Sequence, residues 1–290
     1  MSIGTTRQRT VTCTVALHKC TIAFVPIWSW VQHHRWLSIL FLAFLVVGSA
    51  GGTAWAVFFR TVASPVSLRE ALRLYHRENA SRALGGFKAV LSPGVFSYET
   101  SGGESLNLLG VSRSFPSRTS MVVAAASNAC SAVDWVPIAQ HTETTSICAA
   151  AHHSLVMKTL VTHEAISGTT TTAMISCPST MYLVPPIDMP GVQWTATCHE
   201  DTPANTVSVS GRVLGTGPLT VGGQIVPTLH VRLMLAFSGT DQGTNPIDFW
   251  VSTSRGLIVR EQEAVHIAQG GVHYTETMDS RLVSVTPAAG

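Results

Sequence analysis

Charge is what this sequence has least of. Only 12% of its 290 residues are Asp, Glu, Lys or Arg, about half the roughly 25% usual for soluble domains. That excludes an intrinsically disordered acidic or basic chain, and a nucleic-acid binder that works through a large positive field. Acidic residues are missing from the N-terminal part altogether, the first being Glu70. The common catalytic signatures are absent too. There is no G-x-S-x-G nucleophile elbow, no HExxH zinc helix, no phosphate-binding G-x-x-x-x-G-K and no dinucleotide G-x-G-x-x-G. No cofactor and no metal are expected, and nothing in the pattern points to an enzyme.

Long hydrophobic runs, by contrast, are present. Residues 36–59 are 24 consecutive residues without a charge, flanked by Arg35 and Arg60. About 20 apolar residues at 1.5 Å rise suffice to cross the hydrocarbon layer, so this segment is expected to be a single transmembrane helix. A buried core helix or a cleaved signal peptide would be the alternatives. Residues 1–35 hold Arg7, Arg9, Lys19 and Arg35 and no acid, and by the positive-inside rule they form a cytoplasmic leader. The remainder is then extracytoplasmic, with the protein in the cell membrane. Residues 21–31 are a second apolar run, too short to span and broken by Pro26. Gly48 and Gly52 carry the small-residue spacing that pairs membrane helices, which suggests a protein partner in the membrane. The net charge of +2 is thus a sum over two compartments: +4 in residues 1–59 and −2 in residues 60–290.

Residues 60–86 read as a membrane-proximal helix and linker. Ser64-Pro65 offers an N-cap followed by proline at the first helical position, and Leu68, Leu72 and Tyr75 follow at helical spacing. From Phe87 the character changes to short β-branched stretches that alternate with period two, punctuated by Gly102-Gly103, Gly222-Gly223 and Arg255-Gly256. The fold class expected for residues 87–290 is mainly β, a curved antiparallel sheet resembling a half-barrel. Four cysteines follow the anchor, Cys130, Cys148, Cys177 and Cys198. In an oxidising compartment they read as two disulfides. Three pairings exist, and order and separation favour Cys130–Cys148 and Cys177–Cys198. Zinc is the alternative, but no C-x-x-C is present.

Polar candidates are thin. His152-His153 and His163-Glu164 form the densest cluster, yet neighbours on a strand point to opposite faces. A hydrolase site built on His163 and Glu164 would need a serine or water brought to them by the fold. Glu99 and Glu104, flanking Ser101-Gly102-Gly103, read as solvated acids at a hairpin turn.

One hairpin is more distinctive. Asp248-Phe249-Trp250-Val251, a turn, and Gly256-Leu257-Ile258-Val259-Arg260, after a long amphipathic strand, resemble the last strands of half-barrel envelope proteins of the lipoprotein-localisation carrier class. That resemblance covers about residues 206–286 and implies a sheet wrapped round an apolar cavity for lipid or acyl chains. A broader resemblance covers about residues 84–286. The ordered motifs G-V-F-S-Y-x-T-S-G-G-E (94–104), F-P-S-R-T (115–119), Cys130 before Trp135, Cys148, Cys177 and W-x-x-x-C (194–198) are similar to a family of single-pass exported proteins of high-GC Gram-positive bacteria with no assigned activity. It implies an exported β domain with two disulfides.

Together these readings predict a membrane-anchored, extracytoplasmic binding protein for a lipid, an acyl chain or another envelope component. The alternative is a sensor or scaffold that meets a protein partner through the β domain and the membrane helix. Candidate cavity residues are Phe96, Tyr98, Trp135, Trp194, Leu233, Leu235, Phe237, Trp250 and Ile258.

Overall fold

A computed structural model describes residues 63–83, 90–107, 110–127, 129–166, 169–201 and 205–288. The expected leader, the apolar segment 36–59, and Gly48 and Gly52 lie outside the described residues. Among the described residues no helix is long and apolar enough to cross a membrane.

The alternating stretches fold into fourteen strands: β1 (Gly94–Leu106), β2 (Val111–Ser114), β3 (Arg118–Ser127), β4 (Cys130–Ile138), β5 (His141–Ala149), β6 (Leu155–Ile166), β7 (Thr169–Ser176), β8 (Tyr182–Val184), β9 (Gln193–Glu200), β10 (Thr206–Val221), β11 (Gln224–Ser238), β12 (Gln242–Ser252), β13 (Ile258–Gln269) and β14 (Val272–Leu282). Consecutive strands pair antiparallel, and β14 returns to pair with β1 from Tyr98↔Leu282 to Leu106↔Tyr274. With β2 and β8 standing off the ring, twelve of the fourteen strands close a barrel. This corrects the expected half-barrel: the first and last strands leave no free edge, which removes the pairing liability an open sheet would carry. Glycines at 222 and 223, both at positive φ, turn the long β10–β11 hairpin.

Alternation sorts the side chains. Val207, Val209 and Val213 of β10 and Val231, Leu233 and Leu235 of β11 point inward and are fully buried. The outward face is threonine, serine and charge, the reverse of the apolar band of a membrane-spanning barrel. Asp248 there accepts hydrogen bonds from Arg232, and Asp279 from Arg260 and Arg281. One outward patch is apolar, Val95 and Val122, and it is covered by α1 (Leu68–Ala83) through Ala71, Leu72 and Tyr75. Sealing a valine from water is worth about 1.5–3 kcal/mol, so α1 is held by packing.

The start of α1 also differs from expectation. Ser67, not Ser64, caps it, its Oγ accepting from the Glu70 N–H at 3.2 Å. Ser67-x-x-Glu70 is the capping-box spacing and outcompetes Ser64-Pro65. The displaced pair instead docks on the β4–β5 turn. Pro65 bridges Ile138, Ser64 N donates to Gln140 Oε1 at 3.0 Å, and Ala139 N donates to Ser64 O at 2.9 Å.

Disulfides join Cys130 to Cys148 and Cys177 to Cys198, the two local pairs. The first links directly opposed residues of β4 and β5. The second crosses the thinnest seam of the ring, where β7 and β9 share only Ile175↔Glu200 and Ser176↔His199.

Candidate functional site

The barrel interior divides along its length. Near the β1 start and the β6 start Phe96, Leu229, Leu257 and Ile147 pack together with Met181 and Leu183, from the segment after β7, and at their margin Leu91, Leu155, Leu229 and Val251 line a space of about 500 Å³. Midway, Trp135, Leu233, Phe249 and Met278 surround a void of only about 70 Å³. Toward the β4–β5 turn the interior opens into a cavity of about 470 Å³. Twelve strands enclose more room than the eight that side chains can fill, and here open space lies toward both ends, with carboxylates lining only the one near the β4–β5 turn.

The walls of that cavity are acidic. The chain has ten glutamates. Seven of them take inward positions: Glu104, Glu143, Glu164, Glu200, Glu261, Glu263 and Glu276. The register explains the gathering. Glu104 lies opposite Glu276, Glu263 opposite Ile247, and Glu143 opposite Trp135, so acids occupy the phase that apolar residues hold elsewhere on the same strands. Two cations are set among them. Arg113 of β2 pairs with Glu104, both side chains almost wholly buried, and its Nη1 donates to Ala165 O at 2.9 Å. His141 Nδ1 lies 2.7 Å from Glu104 Oε2.

Protonation follows from these contacts. Burial alone would raise Glu104, but the hydrogen bond and charge of His141, with Arg113 beside it, hold it below the ordinary carboxylate range. Burial would lower His141, yet its hydrogen bonds to Glu104 and Glu143 and the nearby Glu276 raise it well above 6.5, so the ring is an imidazolium. Burial raises Glu164 and Glu200. It drives Glu261 and Glu276 well up, and Glu263 to about 8, with neighbouring glutamates adding to the effect. Glu261 and Glu263 keep some exposed surface, which faces the interior void and, for Glu263, the large cavity as well. Tyr274 ties the cluster together, its Oη 3.0 Å from Glu104 Oε2 and 2.6 Å from Glu276 Oε2. One hydroxyl proton cannot serve two carboxylates, so Glu276 supplies its own, in keeping with its raised pKa.

Glu104, His141 and Glu276 also present ligand atoms within 4.8 Å of one another. They do not suit a metal ion. Glu104 is already neutralised by Arg113 and His141, and an imidazolium has no lone pair to give. The geometry is that of a buried ion cluster in which one donor, Arg113 Nε, and acceptors on the cavity wall are left without partners. Glu276 Oε1 and Asn245 Oδ1 are buried and have no hydrogen-bond partner, although Asn245 Nδ2 donates to Glu263 Oε1.

The candidates named from sequence are spread over the barrel. Phe96 and Tyr98 are fully buried in the apolar part, and Tyr98 Oη donates to Ile258 O at 2.6 Å. Trp135, Leu233, Leu235 and Ile258 line the small void, and Phe237 lines the large cavity. Trp194 packs its indole over Gly211 of β10, where a Cβ would collide with the ring. Trp250 lies on the outer face, stacked on His230 at 4.0 Å with Arg260 over it at 4.8 Å, and lines neither space. His163 and Glu164 are on opposite faces, His163 Nδ1 bonding Thr172 outside while Glu164 looks into the cavity. Sequence reasoning missed His141, Glu143, Glu261, Glu263, Glu276 and Arg113.

No family model matches the chain, and no curated protein matches it. Among solved structures it is similar to the hypothetical lipoprotein YmcC of Escherichia coli K12, with 12% identity over 74% of this chain and 97% of that one and a TM-score of 0.34. At that score the two folds are only loosely alike.

Proposed function

We propose that this is a binding protein of the cell envelope, anchored by residues 36–59, which takes a small component into the open-ended cavity of its barrel and does not transform it. The observation that carries the reading is the cavity itself. At about 470 Å³ it falls within the roughly 300–1,000 Å³ of small-molecule sites, and it combines apolar walls (Leu160, Phe237, Ile267) with polar groups of specific placement. The void deeper in the barrel, about 70 Å³, has no room for a long acyl chain. A lipid would therefore enter by its polar end and leave its tails outside.

The position of Ser64 supports that picture. It docks on the β4–β5 turn, at the cavity end of the barrel. Only residues 60–63 separate it from the apolar segment, at most about 14 Å of extended chain.

Native mass spectrometry of the full chain released from membranes tests the reading. A bound component of defined mass is expected, and Ala173→Trp, which places an indole in the cavity, should exclude it. A wild-type protein that carries no adduct, or one whose adduct persists in Ala173→Trp, would overturn it.

A further inference from the structure

Resting on that binding reading, we infer that the cavity selects a ligand with an ammonium or other N–H-rich cationic end attached to a short apolar body. The two buried atoms left without partners at the wall, Glu276 Oε1 and Asn245 Oδ1, are both acceptors, on side chains 3% and 6% exposed. A buried acceptor without a donor costs about 1–3 kcal/mol. Two such acceptors on one wall suit a ligand that brings donors. An ammonium brings three N–H donors and no acceptor, enough to serve both atoms and one more.

The surrounding charge agrees. Glu143, Glu164, Glu200, Glu263 and Asp241 line the same space, and the cation facing it, His141, is committed to Glu104 and Glu143. Arg113 is turned away, onto Glu104 and the Ala165 carbonyl. An anionic head would meet carboxyls on every side with no free cation to receive it. A neutral head would leave the carboxyls protonated and gain ordinary hydrogen bonds. A cation gains charge-assisted ones, about twice as strong, because its arrival favours the ionised form of the carboxyl it touches. The apolar body has a place as well: Leu106, Phe237, Val265 and Ile267 form the remaining wall.

Three probes of one length separate these cases: hexylamine, hexanol and hexanoate, titrated by calorimetry into the full chain in lipid nanodiscs, with empty nanodiscs subtracted. Hexylamine should bind about tenfold or more tighter than either analogue. Glu276→Gln and Asn245→Leu should each weaken the amine more than they weaken hexanol, because the amine loses a charge-assisted bond and the alcohol an ordinary one. Equal affinity for amine and hexanol would overturn the cationic preference while leaving the binding reading intact, as would tighter binding of hexanoate. Absence of binding by all three overturns this inference, and the binding reading is then judged separately by the co-purified adduct. Zinc binding that displaces hexylamine and is lost in His141→Asn would make the cluster a metal site and also overturn it. The comparison among probes uses the unaltered protein, so it decides the matter even if a variant fails to fold.

Discussion

The two ends of the barrel interior are built from the same strands and behave as different materials. At one end, inward positions of β10, β11 and β12 are the apolar Val213, Leu229 and Val251, and the space beside them has no carboxylate in its lining. At the other, inward positions of β5, β13 and β14 are Glu143, Glu263 and Glu276 around a space of about 470 Å³. A close-packed interior stores stability, because every buried methylene counts. An interior lined with carboxyls that must be neutralised stores cost, which a ligand can relieve. The difference teaches that a single closed sheet can give one end to folding and the other to binding.

Breaking the ion cluster at the hollow end should have the largest effect. Glu104→Gln leaves Arg113 and His141 as buried cations without their counter-charge, and removal of one partner from such a pair costs about 3–5 kcal/mol. Urea unfolding would show it as a large fall in midpoint. A change of under 1 kcal/mol would mean that water reaches the cluster and that the two ends differ less than their packing suggests.

A matched pair of truncations tests the packing contrast directly. Leu233→Ala, in the nearly filled part, should cost about 3 kcal/mol, since the transfer loss is joined by a new cavity. Phe237→Ala removes more atoms but enlarges a space already present, so it should cost less, about 1–2 kcal/mol from its lost burial. Equal losses would show that the cavity collapses in solution.

The disulfides offer a third contrast at nearly equal loop length, with separations of 18 and 21 residues. Loop closure alone gives each about 3 kcal/mol. Their surroundings differ. Cys130–Cys148 lies within a seam of many strand pairs, whereas Cys177–Cys198 adjoins the two-pair seam between β7 and β9, whose Ile175 and Glu200 line the cavity. Replacing Cys177 and Cys198 by serine should speed amide exchange at Ile175 and Glu200. The same change at Cys130 and Cys148 should leave those amides protected.

Much of this was legible in the sequence, and the reasons are particular. The strands were readable because β-branched residues alternate with polar ones, as in Val207-Ser208-Val209-Ser210. Closure was not, because β14 and β1 pair across more than 160 residues, and local patterns carry no information about such a contact. Half the cavity signal was present but read in the wrong sense. Glu261 and Glu263 stand between Val259 and Val265 in the apolar phase of β13, and Glu276 stands between Tyr274 and Met278 in that of β14. An acid in the apolar phase of a strand belongs indoors, whereas acids in general suggest solvent. Trp250 shows the converse. Its size suggests a cavity, but Phe249 and Val251 hold the inward phase, which leaves Trp250 outside between His230 and Arg260.

The smallest effect at pH 4.5, and the most diagnostic one across pH, should come from Glu263→Gln. An unfolded chain releases this proton near the ordinary 4.5, whereas the native barrel holds it up to about 8. Between those values the native state binds more protons than the unfolded one, so stability falls as pH rises. The contribution is fully present below about 4.5 and gone above about 8. Glutamine keeps the shape of the neutral carboxyl, and its Oε1 can still accept from Asn245 Nδ2. The thermal midpoints of the two proteins should therefore nearly coincide at pH 4.5 and separate steadily toward pH 8, with the variant the more stable. His141, raised as well, adds a fall of the same sign, but to both proteins alike. Parallel curves would mean that Glu263 meets bulk water, and the hollow end would then be an open mouth with no power to hold a proton. A core position away from the carboxyls supplies the control: Val213→Ala, at a residue that lines neither the void nor the cavity, should lower the midpoint by the same amount at every pH.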